Sequence, residues 1–314
     1  MAEAERVSSA LGLALGFALD RAFGDPRRFH PVAGFGRTAS ALEARWYADD
    51  RARGVLHTGV LVGGAVGLGV LLERPSWRGW RIGVTAVATW AVLGGRSLER
   101  EALAVHAHLA DGDLPAARQR LTHLVGRDPS ALGPGEIARA VVESVAENTS
   151  DAVVAPLVWG AIAGVPGLLG YRAANTLDAM VGHRSARYER FGWASARVDD
   201  LLNLPGARLA GLLTAVAAPE RAGVVLATWR RDAAGHPSPN AGVVEAAFAG
   251  ALGVHLGGTN VYGDRVEHRA IMGSGRAVEP DDVPRTAVLA RRVGIGAVLA
   301  CAGLRALLRS PSQS

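Results

Sequence analysis

Glu143-Ser-Val-Ala-Glu-Asn-Thr-Ser-Asp151 runs directly into nineteen residues, Ala152 to Gly170, that carry no charge. A segment of this length is long enough to cross the hydrocarbon core of a bilayer as a helix. Polar residues return at once beyond it, in residues 171–178, 182–184 and 197–203. Ionisable residues beside a membrane-grade segment are costly and usually functional, so this stretch predicts a charged site at a bilayer surface.

The composition is that of a membrane protein built from closely packed helices. Of the 314 residues, 49% are hydrophobic and 20% are charged, and the 40 glycines are about twice ordinary usage. Small residues let helix backbones approach closely in lipid. We therefore predict an all-α fold, a polytopic integral membrane helical bundle with cytoplasmic helical loops. A soluble, alanine-rich helical protein is the alternative.

The basic residues exclude several classes of site. All 34 are arginine and the chain has no lysine, which excludes a Schiff-base lysine and the phosphate loop that ends in Gly-Lys. Phosphate must then be held by arginine, backbone amides or a metal ion. The net charge of +5 is spread along the chain, so we expect no nucleic-acid partner. Cys301 is the single cysteine, and we interpret it as a packing residue.

Apolar segments set the expected order of helices. Val7–Leu19 is short for a span and is expected to be a short retained helix. Val55–Leu72 and Ile82–Gly95, joined by a tight connection, predict a transmembrane hairpin. We expect residues 1–314 to form a single integral membrane domain, with a soluble-side insert at about residues 96–151.

The uncharged segment 152–170 is poor material for a straight helix, because it contains two prolines and four glycines. If it crossed the bilayer once, the acids before it and the polar cluster after it would face opposite compartments. Irregular backbone at membrane depth is tolerated where protein buries it. We therefore predict a re-entrant or broken helical segment at 152–170 that returns both ends to the same face.

Three carboxylates lie on one predicted helix face. Glu143, Glu147 and Asp151 are spaced i, i+4 and i+8, which stacks them at intervals of about 6 Å. Like charges in this arrangement repel, so a cation is expected beside them. Magnesium prefers hard oxygen ligands of this kind. The alternative is a structural network in which these acids pair with arginines.

The acids beyond the uncharged segment allow two interpretations. Asn175 and Asp178 fit a variant capping box, with Asn175 as the N-cap of a helix. The Asp199-Asp200 pair could be surface acids with Arg197 and Arg208 as partners. Three polar clusters around one uncharged segment nevertheless favour a shared functional site.

Two further segments contain polar residues of interest. Arg21–Arg53, which contains Arg37, is polar and turn-rich. Asn240 is a candidate N-cap for a helix that begins at Ala241, whose free amides could receive an anion. Glu245 lies one turn inside that apolar helix, which is a costly place for a carboxylate without a role.

Five ordered motifs together resemble the CobD/CbiB family of cobalamin-biosynthesis membrane proteins, the adenosylcobinamide-phosphate synthases. The resemblance covers nearly the whole chain. The motifs are Gly24-Asp-Pro with His30-Pro31, residues 143–151, Tyr171-Arg172 with Asn175–Gly182, residues 191–200, and Ser238-Pro-Asn240-Ala-Gly.

The resemblance implies an ATP-dependent ligase that joins (R)-1-amino-2-propanol phosphate, or aminopropanol, to a propionate of adenosylcobyric acid, giving adenosylcobinamide phosphate. It implies a multi-pass protein of the cell membrane, with ATP and Mg²⁺ as cofactors and active-site loops that face the cytoplasm, where ATP is present. The alternatives are a membrane sensor or transporter with an acidic ion site, and a membrane phosphotransferase whose usual acidic pattern is missing around Asp178 and Asp199.

We assign residues to this chemistry by side-chain type. Carboxylates hold metal ions or accept the proton of an amine, and guanidinium groups bind phosphate and carboxylate. The predicted metal ligands are Glu143, Glu147 and Asp151; the predicted catalytic acids are Asp178, Asp199 and Asp200; the predicted phosphate and substrate ligands are Arg37, Arg172, Asn175, Arg184, Arg197 and Asn240.

Overall fold

The structure is a computed structural model that describes residues 2–25, 30–126, 128–183, 185–262 and 265–308. Across these residues the chain is helical almost throughout, which confirms the predicted all-α class. In chain order the elements are α1 (Ala2–Phe23), α2 (Pro31–Trp46), α3 (Arg51–Glu73), α4 (Arg78–Val92), α5 (Gly95–Ala110), α6 (Leu114–Leu121), α7 (Pro134–Thr149), α8 (Ala155–Leu177), α9 (Trp193–Ala217), α10 (Ala222–Asp232), α11 (Ala241–Leu252), β1 (Leu256–Tyr262), β2 (Arg265–Met272) and α12 (Asp282–Leu307).

The chain divides into two compact units, each made of segments that are distant in sequence. The first comprises Met1–Gly94, Ala155–Asn203 and Val298–Ser314. The second comprises Gly95–Val154 and Leu204–Ala297. The predicted insert at 96–151 coincides with the first segment of the second unit, which also takes in residues far along the chain.

Among the residues that the structure describes, three helical runs are long and apolar enough to cross a membrane: Arg51–Glu73, Pro134–Gly182 and Asp282–Leu307. A fourth candidate is the pair Trp193–Ala217 and Pro219–Gly235, whose axes differ by 105°. The predicted span at Val55–Leu72 is therefore confirmed as a candidate, as α3. The run Pro134–Gly182 has 49 residues, which as one straight helix would be about 74 Å long, far more than a bilayer needs.

Within the first unit, α4 packs mainly against α1 and α8, so the predicted hairpin of α3 and α4 is wrong. Glycines on α1 explain this choice, because a Cβ at Gly12 would lie 2.5 Å from Thr85 Cβ and one at Gly16 would collide with Thr89. Small residues at such positions let two helices approach closely in lipid. The sequence contains these glycines, but it does not show which helix they face.

The segment 21–53 contains a helix, α2, where the sequence predicted turns. Pro31 begins it, and the His30 side chain accepts a hydrogen bond from the Val32 amide at 3.2 Å. Apolar side chains repeat along one face of α2, and Ala39 is buried there with Leu61 of α3 and Leu177 of α8. Packing against these neighbours, rather than helix propensity, makes this polar stretch helical.

The uncharged segment reverses direction at Gly164, which has a φ of 66°. Trp159 and Gly167 would be about 12 Å apart along a straight helix, yet a Cβ at Gly167 would collide with the Trp159 carbonyl. Gly160 likewise lies against Leu168, since a Cβ there would be 2.9 Å from its Cδ2. Residues 155–163 and 165–177 therefore fold back on each other at a break, which agrees with the predicted broken segment, whereas the return of both ends to one membrane face stays a prediction.

The tip of this hairpin is held by two charges of opposite sign. Glu73, at the end of α3, accepts a hydrogen bond from the Val165 amide at 2.8 Å. Arg305 of α12 donates to the Ala161 carbonyl at 3.4 Å. An anion at the start of one helical arm and a cation at the end of the other both complement the helix dipoles.

We expect Gly164→Ala to lower the free energy of unfolding by about 1–3 kcal/mol, because this backbone conformation is nearly exclusive to glycine. The new Cβ would also collide with the Glu73 carboxylate. Gly67→Ala is the matched control, since a Cβ at Gly67 in α3 meets nothing within 4 Å. Thermal unfolding of both variants in the same detergent measures the difference. Equal melting temperatures would show that the chain does not reverse at Gly164.

The second unit contains the strand pair, which the sequence did not predict. The expected apolar helix that begins at Ala241 ends at Leu252, because Gly253 has a left-handed φ of 75° and closes the helix as its C-cap. The chain then pairs Leu256–Tyr262 antiparallel with Arg265–Met272. This turn into a strand brings Gly257 onto α7, where the carboxylates of the second unit lie.

Candidate active site

The first unit contains a continuous chain of side-chain hydrogen bonds that ends on Asp199. Tyr171 donates its hydroxyl to Asn203 Oδ1 at 2.6 Å, and Asn203 Nδ2 donates to Asp199 Oδ2 at 2.9 Å. From the other side, Arg172 donates to Asn175 Oδ1 at 3.3 Å, and Asn175 Nδ2 donates to Asp199 Oδ1 at 3.2 Å. We call these five residues the Asp199 cluster. Both carboxylate oxygens of Asp199 thus accept hydrogen bonds from amides.

Helical spacing on two facing helices builds this cluster. Tyr171 and Asn175 are four residues apart on α8, and Asp199 and Asn203 are four residues apart on α9. Residues at this spacing share one helix face, so each pair presents two polar side chains to the other. Tyr171 and Asn203 were not among the predicted site residues, although their spacing from Asn175 and Asp199 is visible in the sequence.

The structure overturns the capping-box interpretation of Asn175. This residue lies inside α8, which begins at Ala155, so it cannot be the N-cap of a new helix. Its side chain instead connects Arg172 with Asp199. The polar residues in this part of the sequence therefore lie on one face of α8, which continues through them.

Asp178 opens a π-helical turn, Asp178–Gly182, directly after α8. A Cβ at Gly182 would collide with the Asp178 carboxylate, so glycine at this position leaves room for it. The negative charges of Asp178 and Asp200 both act on Asp199. Asp178 and Asp200 are half-buried, whereas Asp199 is only 8% exposed. The three predicted catalytic acids are thus close enough to influence one another electrostatically.

The predicted arginines of the first unit have different surroundings. Arg197 lies 3.7 Å from Asp200, and its side chain is 66% exposed, so this ion pair contributes little to stability. Arg37 is exposed on α2. Arg184 lies outside the described residues. Arg197 is therefore accessible to a ligand while remaining beside the acids.

In the second unit, the three carboxylates of α7 and the following turn divide into two environments. Glu143 is buried, and its Oε1 accepts from Arg139 at 3.2 Å and from the Gly257 amide at 2.9 Å. Arg139 also donates to the Gly257 carbonyl. Glu147 is exposed, and Asp151 is half-buried in the π-helical turn Ser150–Val154. Glu143 therefore anchors β1 to α7, and the other two carboxylates are more exposed.

In the part of the chain that the structure describes, no three His, Cys, Asp or Glu side chains converge as ligands of a metal ion. Magnesium requires less from the protein, because it is commonly held by one or two carboxylates together with substrate phosphates and water. Glu147 and Asp151 fit such a site better than Glu143 does, since Glu147 is exposed and Asp151 is half-buried, whereas Glu143 is buried. The predicted metal site remains a prediction, now centred on these two residues.

Asn240 is buried at the start of α11, but its side chain does not cap that helix. Its Oδ1 accepts from Arg208 at 2.6 Å, and Ser238 Oγ accepts from the Ala241 amide at 3.2 Å instead. Asn240 therefore occupies the N-cap position, as expected, but Ser238 supplies the side-chain oxygen that caps the helix. Arg208 pairs with Asn240, so the structure gives it a partner other than the Asp199-Asp200 pair that the sequence suggested.

Glu245 has a buried partner that the sequence analysis missed. His236 Nε2 lies 3.5 Å from Glu245 Oε1, and their side chains are 5% and 1% exposed. The loop of residues 233–240 brings His236 back over the first turns of α11, and a Cβ at Gly242 would collide with the Ala233 carbonyl. The buried Glu245 carboxylate thus lies beside a buried imidazole that could pair with it.

The chain matches known proteins over most of its length. A family model described as CobD/Cbib protein matches residues 13–290, which contain every candidate site residue named above. The match agrees with the resemblance found in the five motifs.

Several relatives are named cobalamin biosynthesis protein CobD. The one from Mycobacterium tuberculosis strain H37Rv is 52% identical over 293 residues, covering 92% of this chain and 94% of that protein. The one from Rhodobacter capsulatus is 46% identical over 315 residues, covering 98% of each. The one from Rhizobium meliloti is 42% identical over 287 residues, covering 85% and 87%. No solved structure matches the chain at a significant level.

Proposed function

Because the chain belongs to the CobD/CbiB family of cobalamin biosynthesis, we propose that it is an ATP-dependent carbon–nitrogen ligase. Its proposed reaction joins (R)-1-amino-2-propanol phosphate, or aminopropanol, to a propionate of adenosylcobyric acid and gives adenosylcobinamide phosphate. The observation that carries the proposal is the family match over residues 13–290, within which the Asp199 cluster and the acids of α7 supply suitable chemistry.

A carboxylate is a poor acyl donor and must be activated. In the proposed reaction the propionate oxygen takes the terminal phosphoryl group of ATP, so an acyl phosphate forms and ADP is released. The amine nitrogen then attacks the acyl carbon, inorganic phosphate leaves with the bridging oxygen, and the nitrogen loses a proton. The protein must therefore hold phosphates, stabilise negative charge and accept one proton.

We propose that Glu147 and Asp151 hold Mg²⁺, with Glu143 fixing the helix that carries them. When bound, Mg²⁺ would neutralise charge on the phosphates. Asp178 or Asp200 would accept the proton of the amine, since both are half-buried acids beside the Asp199 cluster. Asp199 itself accepts two amide hydrogen bonds, so we interpret it as a positioning residue.

Arg197 and Arg37 are exposed and are proposed to contact substrate phosphate or carboxylate, as is Arg184. Asn175 and Asn240 would orient neighbouring cations, because their side-chain oxygens accept from Arg172 and Arg208. Arg172 lies in an apolar groove, which is a poor environment for a triphosphate, so we expect it to meet a different anion.

The direct test is an assay of the full chain in sealed vesicles with ATP, Mg²⁺, adenosylcobyric acid and aminopropanol phosphate. We expect the amide product together with an equal amount of ADP. Inside-out vesicles should react with ATP added outside, whereas right-side-out vesicles should not, because the loops are proposed to face the cytoplasm. If folded protein gives no amide in either orientation, the proposed ligase activity is wrong. Reaction in right-side-out vesicles alone would contradict the proposed orientation only.

A further inference from the structure

A groove of about 330 Å³ lies between α2, α3, α4 and α8 of the first unit. Thr38, Arg172 and Thr176 are the polar residues among the fifteen that line it. Both threonine hydroxyls donate to carbonyls of their own helices, at 3.1 Å for Thr38 and 2.7 Å for Thr176. The lining therefore combines apolar walls with one charged group, the Arg172 guanidinium.

Because the groove lies on the candidate span α3, a bilayer crossed by α3 would place hydrocarbon against it. Only 22% of the apolar window of α3 is buried within the protein, so most of this candidate span faces outward. Val60 and Leu68 line the groove and are 45% and 52% exposed. They are eight residues apart, which is about 12 Å along a helix. One leaflet of a bilayer core is about 15 Å deep, so the groove extends over most of a leaflet.

The charge lies toward one end of the groove. The return arm of α8 runs antiparallel to α3, because Gly69 faces Pro166 and Gly170 faces Val66. Arg172 points along this arm toward Asn175, to which it donates at 3.3 Å. Leu68 and Leu169 lie at the other end. The groove is thus amphipathic along its length, as an ordered lipid molecule is.

We propose that this groove binds one acyl chain of an anionic phospholipid, whose phosphate is held by Arg172. A free phosphate ester or nucleotide would place its other polar groups against apolar walls without hydrogen-bond partners. A lipid satisfies both ends, since guanidinium groups bind phosphate and still have N–H groups for a second acceptor such as Asn175. The bound lipid would help to orient Arg172 and, through Asn175, Asp199.

A pair of glycines on α3 allows a matched test. A Cβ at Gly64 or at Gly67 meets nothing within 4 Å, and both positions are exposed, but only Gly64 lines the groove. Gly64→Leu would fill the groove, and Gly67→Leu adds the same side chain beside it. We expect native mass spectrometry to show one phosphatidylglycerol retained by the wild-type chain and by Gly67→Leu. Retention by Gly64→Leu should fall about tenfold or more.

The headgroup is tested with phosphatidylglycerol and phosphatidylcholine offered in equal amounts. The wild-type chain should prefer phosphatidylglycerol by about tenfold, and Arg172→Gln should retain lipid without this preference. Neither inorganic phosphate nor Mg²⁺-ATP should displace the lipid. Equal retention by the two leucine variants, or displacement by inorganic phosphate, would overturn the proposal.

Photocrosslinking of the wild-type chain does not depend on how the variants fold. Phosphatidylglycerol with a diazirine on its acyl chain, in phosphatidylcholine vesicles, should label residues 60–68 and 169–176. Labelling confined to other segments would also overturn the proposal. Because this measurement needs no turnover, its result is independent of whether the proposed ligase activity is correct.

Discussion

Glu147→Gln is expected to lower the rate of ligation by about 100-fold or more and to leave the melting temperature nearly unchanged. Glutamine keeps the size of the side chain but removes the charge that would bind Mg²⁺, and loss of one charge-stabilising group typically has an effect of this size. Glu147 is exposed, so its substitution should change stability by no more than about 0.5 kcal/mol. Product formation as a function of Mg²⁺ concentration, with thermal unfolding of the same preparations, measures both quantities.

Glu143→Gln is the contrasting variant, one turn earlier on the same helix. Glu143 is 6% exposed and is the partner of Arg139, so removal of its charge leaves a guanidinium that is nearly buried without its counter-charge. We expect this variant to lose stability, up to about 3–5 kcal/mol for a broken buried pair. If Glu147→Gln keeps near wild-type activity and an unchanged Mg²⁺ requirement, the metal-site proposal is wrong. Similar stability losses in both variants would contradict the division of roles.

The backbone break and one polar cluster could be predicted from local features of the sequence. Gly164 and its neighbouring prolines disfavour a straight helix at any position in a protein, so the reversal needs no knowledge of distant residues. The polar face of α8 is encoded in the same way, since Tyr171 and Asn175 are four residues apart. A cap at Asn175 nevertheless remained one of two interpretations, because a polar residue after an apolar run equally signals a new helix.

Contacts between distant segments explain most of what could not be predicted. The pairing of α4 with α1 depends on which helix Gly12 and Gly16 face, and α2 is stabilised by α3 and α8. The strand pair was not predicted, because the glycines at its start are typical of a turn. Local propensity is a weak guide wherever packing decides the structure.

Within the motif of Glu143, Glu147 and Asp151, one contact could be predicted from the sequence and another could not. Arg139 and Glu143 are four residues apart, so the sequence alone could have predicted their ion pair. The second partner of Glu143, the Gly257 amide, is 114 residues away and is placed there only by the end of α11 at Gly253. Equal spacing of Glu143, Glu147 and Asp151 suggested equal roles, whereas the long-range contact gives Glu143 a structural one.

Asp199→Ala should cause the largest loss of stability among single substitutions in the Asp199 cluster. Two amides, from Asn175 and Asn203, donate to Asp199, and each unsatisfied buried donor costs about 1–3 kcal/mol. We therefore expect the free energy of unfolding to fall by about 2–6 kcal/mol. Asp200→Ala is the matched control on the adjacent residue, whose pairing with the exposed Arg197 is worth no more than about 1 kcal/mol.

Asp199→Asn separates a positioning role from a catalytic one. Asparagine offers one oxygen where aspartate offers two, so one of the two amides that donate to Asp199 must turn, and the two arms of the cluster no longer both end on an acceptor. A positioning residue should then give a partial loss of stability together with a raised KM, because the groups around the substrate are less well oriented. Unchanged stability and KM with a kcat reduced by several orders of magnitude would instead identify Asp199 as the base. In that case Asp178 and Asp200 would be the groups that tune it, and the assignment of the proton acceptor proposed here would be reversed.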